Sequence, residues 1–337
     1  MRLRETLGRL VVPVVVVASV ASVAAMGAGQ DAGTDPRTLP GSALVVAFTP
    51  DGKLLVSGGW NGEVKVWDVA TGAVVYAIPR KGRVEGVAIS SDGTQVAFSA
   101  DDGTVTLIEA ATARLIRTWK GSHPVLFSRD GSLLIFGDRG SSGTIKVCNL
   151  AQATQRDLRG HYNPIAALAV SRDGQLLASG GNDNTAKIWN LASGTAVQSF
   201  TAAGMAGLPL WVGSVAFSAD GRTLAYGEVI MEADRGGRAG SFLFKAGQIV
   251  LRDIQTGAQI RTIVAHSNPV RAVAFSPDGR TLVSAGDHTV KAWDVASGAL
   301  RREFAITANA LEFSPDGSLL ACATSTGVRL VPSTAWQ

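Results

Sequence analysis

The chain has 337 residues, 46% of them hydrophobic and only 17% charged, so it is long enough to bury a large core and too apolar for a disordered tail. Its 39 glycines make up about 12% of the residues against a usual ~7%, the bias of a turn-rich β protein. The formal charge of +4 includes Arg2, Arg4 and Arg9 beside Glu5, leaving about +2 for the remainder, and no Lys/Arg run offers the concentrated basic surface that nucleic acid requires.

In chain order, the first element is an address. Arg2, Arg4 and Arg9 precede an almost uncharged run rich in Val and Ala, Leu10 to Gly29. This is the layout of an export signal, with cleavage expected after Ala25 or, in a second register, at the Ala25/Gly27 pair. The run is also nearly long enough to span a bilayer, so residues 1–28 are expected to be either a cleaved signal or a retained membrane anchor. Either puts the rest outside the cytoplasm, in the periplasm, outside the cell or tethered to the outer face of the membrane. Residues 29–42, rich in Gly, Asp, Thr and Pro, read as a linker, and residues 43–337 as one domain.

That domain repeats itself. An Asp-Gly pair recurs at Gly52, Gly93, Gly131, Gly174, Gly221, Gly279 and Gly317, with spacings of 41, 38, 43, 47, 58 and 38. Before each pair stands a short apolar strand, such as Val45 to Phe48 or Val273 to Phe275. A second strand follows it, then a Gly/Asn/Asp turn, a third strand such as Ala186 to Trp189, and a Thr-Gly or Ser-Gly turn into a fourth. Four short strands make a sheet that is apolar on both faces, and such sheets must stack radially. The spacing therefore predicts an all-β, seven-bladed propeller of four-stranded antiparallel blades.

Two departures stand out. Unit 5 carries roughly fifteen extra residues between its second and third strands, Glu228 to Gly247, and a long connection before its first, Thr201 to Gly213. Unit 7 is followed only by Pro332 to Gln337, too few for a fourth strand. The donor from the other terminus would be residues 31–42, whose Gly33, Pro36 and Pro40 make a poor strand. A three-stranded last blade, or one completed by a short irregular N-terminal piece, is expected.

The repeated residues carry a resemblance. Trp67-Asp68, Trp293-Asp294 and the near match Trp189-Asn190, with Gly160-His161 and its degenerate form Ala265-His266, make residues 43–331 similar to the WD-repeat β-propeller family. Third strands ending in Ile108-Glu109, Cys148-Asn149, Arg252-Asp253 and Val331-Pro332 depart from that pattern, and those units rest on the Asp-Gly and strand pattern alone. The resemblance implies that His161, Ser179, Asp183 and Trp189, and again His266, Ser284, Asp287 and Trp293, are hydrogen-bonded structural tetrads. Ser, His and Asp together invite a catalytic-triad reading, but the set occurs twice and each copy includes a strand Trp, which favours structure. Unit 1 keeps Ser57, Asn61 and Trp67 without the His, and His123 in unit 3 lies about five residues too late to match His161.

Other residues have plain readings. The seven turn aspartates suit tight hairpins rather than metal ligation. Lys65, Lys146, Lys187 and Lys291 are expected to lay apolar stems on the sheet and keep solvated heads. Cys148 and Cys322, far apart and without a CxxC, read as small buried residues. There is no GxSxG, HExxH or Walker-type loop.

Function is therefore expected on the irregular loops. Trp211, Met231, Arg235, Arg238, Phe242 and Phe244 have the composition of an interaction hot spot on one rim at unit 5; the alternative is that the two excursions pack on each other as an extended hairpin. The resemblance implies a non-catalytic, monomeric binding scaffold with a protein partner, no nucleic acid, no metal and no cofactor. Membrane contact is expected only through the N-terminal anchor. Two competing classes are a periplasmic propeller hydrolase or lactonase with a metal in its channel, and an envelope sensor subunit with a membrane-protein partner. The first needs several inward Asp, Glu, His or Asn side chains, and the first strands offer only Glu312, with Glu85 just upstream.

Overall fold

The Asp-Gly turn is closed by its own side chains. In all seven, a Ser or Thr hydroxyl donates to the Asp carboxylate at 2.5–2.7 Å. The same carboxylate oxygen accepts the amide N–H two residues later at 3.0 Å. The glycine that follows sits at φ 69–74°, where a Cβ is strained. The hydroxyl bonds first, and the amide bonds next, hold these carboxyls below the usual carboxylate range.

In a computed structural model, residues 37–80, 82–138, 140, 142–202, 211–233 and 242–336 are described. Among these, 28 strands form seven four-stranded antiparallel sheets. We number the blades 1 to 7 and letter their strands a (innermost) to d. Blade 1 is Val45–Phe48, Leu54–Gly58, Glu63–Asp68 and Val74–Pro79. Blade 4 is Ile165–Val170, Leu176–Gly181, Thr185–Asn190 and Ala196–Thr201. Blade 6 is Ala272–Phe275, Thr281–Gly286, Thr289–Asp294 and Leu300–Phe304. Neighbouring a strands touch around the ring and enclose a central channel. The a–b and c–d turns lie on one face, here the lower; the b–c turns and the connections between blades lie on the other.

Seven hydrophobic clusters fill the ring, most of them lying between adjacent blades. One joins Leu39, Trp67 and Leu330 from blades 7 and 1; another joins Tyr226 of blade 5 to Ile188 and Phe200 of blade 4. Burial on both faces of each sheet, at about 25 cal/mol per Å² of apolar surface removed from water, is what ties blade to blade. Cys148 and Cys322 are buried free thiols, and burial pushes them up to about 11 and about 12 respectively, away from any nucleophilic form at neutral pH.

Blade 7 corrects the sequence reading. Arg37–Pro40, inside the segment read as linker, is a regular antiparallel d strand paired to Gly327–Pro332 in unbroken register, Arg37 to Leu330 through Pro40 to Gly327. Proline is tolerated because the strand is outermost and Pro40 is its last residue. Leu39 is buried between blades, and a Cβ at Gly327 would meet the Leu39 carbonyl at 2.2 Å, so glycine admits the approach. The residues after the last strand form a 3₁₀ turn, Ser333–Ala335, that delivers Trp336 edge-on against Phe304 and Phe313.

Three junctions between blades are also latched by arginine. The Arg37 guanidinium on strand d of blade 7 donates to the Val69 and Ala70 carbonyls in the c–d turn of blade 1. Arg156 does the same to Leu191 and Ala192 of blade 4, and Arg261 to Ala296 and Ser297 of blade 6. These carbonyls would otherwise be left facing solvent at the turn. The lysine heads are likewise engaged instead of free: Lys146 pairs with Asp138 at 2.9 Å, Lys65 with Glu63 at 3.0 Å, Lys187 donates to Ser199 at 2.8 Å and Lys291 to the Ala265 carbonyl at 2.9 Å. The c strands set each amine within reach of an acceptor, for Lys65 on its own strand and for the others on a neighbouring strand or turn.

Candidate functional site

In blade 4, the Trp189 indole N–H donates to Ser179 Oγ at 2.8 Å, and Ser179 Oγ lies 2.7 Å from His161 Nε2. His161 Nδ1 is 3.0 Å from both Asp183 oxygens. Since the Asp183 carboxylate can only accept, the ring proton is assigned to Nδ1, facing it, and the Ser179 hydroxyl, which accepts from the indole, donates to Nε2. Burial opposes the Asp183 charge, but hydrogen bonds from His161, the Tyr162 amide and Thr185 outweigh it and hold the carboxyl well below its usual range. The serine is fully buried and its lone pair meets an indole, so no substrate carbonyl reaches it. In blade 6, His266 Nε2 to Ser284 and Trp293 to Ser284 are 2.8 and 2.9 Å, but His266 Nδ1 stands 3.6 Å from Asp287. In blade 1, Trp67 bonds Ser57 at 2.8 Å with no His above it.

The tetrad of blade 4 has a consequence at the surface. The Asp183 carboxylate that orients His161 also accepts the Tyr162 amide at 2.9 Å, and so fixes the loop on which Tyr162 stands 83% exposed. Trp211, 41% exposed, and Trp60, 58% exposed, stand on the same upper face. The Arg83 guanidinium lies over the Trp60 ring, 4.7 Å from its centre, and is itself paired with Glu85, which also meets His123 at 3.1 Å. Between the loops of blades 3 to 6 opens a cavity of about 1130 Å³, lined among others by His123, Asp138, Asn182, Trp211, Arg271 and His288. The Trp211 ring lies across Gly213, where a Cβ would be 3.1 Å away.

Of the residues that sequence singled out for binding, Trp211 lines this cavity. The unit 5 excess is not a loose loop: its strands b and c, Thr223–Ala233 and Phe242–Asp253, continue the ladder, pairing Met231 with Phe244 and Ala233 with Phe242 after a bulge at Ile230. Only the backbone of Met231, Phe242 and Phe244 is described, and Arg235 and Arg238 lie outside the described residues. Gln248 bonds the buried Glu228 at the base of the extension. Trp60 and Tyr162 were missed by sequence reasoning, although an aromatic between Gly59 and Gly62, or following Gly160-His161, is a signal: turns do not bury large rings for packing alone. Among the described residues, no three His, Cys, Asp or Glu side chains gather as a metal set, and no helix is long and apolar enough to cross a membrane.

The profile of the WD40 family, described as WD domain, G-beta repeat, matches residues 33–68, 152–190 and 257–294. Those three segments match WD40 repeats. Each matched WD40 segment runs from strand d of one blade through strand c of the next, and each holds one latch arginine and one Trp–Ser pair. Among sequence relatives, an Arabidopsis thaliana protein named cell division cycle 20.1, cofactor of APC complex, is 30% identical over 69% of this chain and 59% of its own length. The human serine-threonine kinase receptor-associated protein is 26% identical over 74% of this chain and 78% of its own. A WD repeat-containing protein of Synechocystis is 33% identical over 48% of this chain and 42% of its own. Among solved structures, that of U3-55K superposes with a TM-score of 0.73 at 20% identity, over 88% of this chain and 98% of the other. The crystal structure of the RRP9 WD40 repeats gives 0.72 at 20%, over 88% and 97%. The structures establish the shared seven-bladed fold, and the sequence matches support a WD-repeat family.

Proposed function

We propose that this WD40 propeller is a non-catalytic scaffold that captures a protein partner on its upper face, around the cavity bordered by Trp211. The observation that carries the reading is the set of exposed aromatics, Tyr162, Trp211 and Trp60, on the upper face of a rigid ring; large aromatics presented this way anchor protein interfaces at little entropic cost. The names of two relatives, a cofactor of a complex and a receptor-associated protein, agree with such a role. We further propose that it works outside the cytoplasm, from the charge and hydropathy of residues 1–29. Crosslinking and mass spectrometry with the full chain should recover a partner that Tyr162→Ala/Trp211→Ala loses without a change in melting temperature. Undiminished crosslinking to that partner in the double variant would defeat the upper-face reading. N-terminal sequencing and fractionation of cells would decide location, a cytoplasmic full-length chain counting against export.

A further inference from the structure

The lower face offers a second site, built by the same turns that build the fold. In each a–b turn, the residue just before the Asp faces the channel mouth: in five blades it is Pro, Ser or Ala, and in the adjacent blades 3 and 4 it is Arg129 and Arg172. The two turns touch, since a Cβ at Gly174 would lie 3.3 Å from the Arg129 Cβ.

Neither arginine is neutralised. Both are exposed and make no hydrogen bond or ion pair among the described residues. Their sequence neighbours Asp130 and Asp173 are occupied inside their own turns by Ser128 and Ser132, and by Ser171 and the Gln175 amide. The latch arginines Arg37, Arg156 and Arg261 of the same face are committed to carbonyls. Around the pair, the mouth is lined by Phe48, Phe217, Phe275 and Phe313, an apolar wall that strengthens any charge pairing made inside it. The cavity there measures about 320 Å³ and opens into a channel cavity of about 460 Å³ that shares Phe48, Pro50, Arg129 and Glu312 with it.

We infer that the lower channel mouth binds a carboxylate-bearing extended segment of a protein partner, an acidic peptide whose Asp, Glu or terminal carboxylate is clamped between Arg129 and Arg172. Guanidinium groups match carboxylates in pairs of parallel hydrogen bonds. Glu312 stands on the opposite wall of the mouth. Burial pushes its carboxyl up to about 8, against one lowering hydrogen bond from the Phe48 backbone, so near neutral pH it is mostly protonated and can donate to an incoming carboxylate. The titratable groups lining the two cavities are Arg129, Arg172 and Glu312.

The site is separate from the upper face, and its test is arranged accordingly. Fluorescein-labelled hexaglutamate with a free C-terminus is titrated with the full chain at low salt and followed by anisotropy. Arg129→Ala/Arg172→Ala should weaken binding at least tenfold with an unchanged melting temperature, while Glu312→Gln and Trp211→Ala bind as the parent does. Absence of binding by the parent, or parent-like binding by the double variant, overturns the proposal. So does displacement of the peptide by inorganic phosphate as readily as by unlabelled hexaglutamate. Loss of binding in Trp211→Ala instead would move acidic-peptide capture to the upper face and overturn this inference while leaving that surface's role standing.

Discussion

Blades 4 and 6 start from the same residues and arrive at different hydrogen-bond networks. In blade 4, Ser179 and Asp183 are separated by Gly180, Gly181 and Asn182; in blade 6, Ser284 and Asp287 are separated only by Ala285 and Gly286. The missing residue shortens the b–c turn to Asp287 and His288, both left-handed at φ 48° and 62°. This is a two-residue hairpin turn of the kind that needs positive φ at both centres, which Asp and His tolerate better than most residues. The aspartate that in blade 4 faces the imidazole is drawn into the turn backbone in blade 6. Asp287 still holds the Ser267 amide, but His266 Nδ1 and Asp287 Oδ1 have no hydrogen-bond partner among the described residues. A buried imidazole left so is held down at about 4, by burial first and Lys291 second, with Asp287 offsetting only part. The lesson is that a tetrad depends as much on the length of its turn as on its four residues.

The comparison can be broken most directly by deletion. His161→Ala removes two buried hydrogen bonds, one of them to the charged Asp183 carboxylate, and should cost about 2 to 4 kcal/mol. His266→Ala removes one hydrogen bond and should cost about 1 to 2 kcal/mol. Urea unfolding of the two variants side by side measures this, and equal losses would show that the Asp183 contact contributes nothing.

Acid separates the blades next. The folded chain binds a proton at His266 less readily than the unfolded chain, in which the imidazole titrates near ~6.5, so this contribution is intact above that pH and is lost as pH falls toward about 4. At pH 5 the loss is on the order of 2 kcal/mol. His266→Gln should therefore show a smaller fall in melting temperature between pH 7 and 5 than the parent. The depressed carboxyl of Asp183 keeps its contribution until pH falls below the ordinary carboxylate range, so Asp183→Asn should leave the pH 7 to 5 fall unchanged. Identical pH profiles for the parent and His266→Gln would refute the assignment.

The smallest expected effect is a repair. Inserting Asn between Gly286 and Asp287 restores the turn length of blade 4; it should raise the His266 imidazole toward its ordinary range in an NMR titration and add about 1 kcal/mol. An unmoved titration would mean that the rest of blade 6, not turn length, holds the imidazole apart.

Much of this molecule could be read from the chain because its elements are local. Each Asp-Gly turn closes within a few residues through its own Ser or Thr, and seven such turns at blade spacing leave radial stacking as the way to bury two-faced sheets. The residues of the two proposed surfaces were less legible. Trp211 announced itself as an aromatic in an irregular connection, whereas Tyr162 was hidden behind the structural meaning of His161, and Arg129 and Arg172 looked like ordinary turn residues.

By itself, then, the sequence determined the number of blades and the turn chemistry, since hydrogen bonds within a turn and alternation along a strand depend on near neighbours. Only the tertiary structure decided how the ring closes, that the unit 5 insertion continues its ladder, and which side chains meet at each mouth of the channel. Those outcomes depend on contacts between residues as distant as Leu39 and Val328, and no local pattern records which distant strand will supply a missing edge.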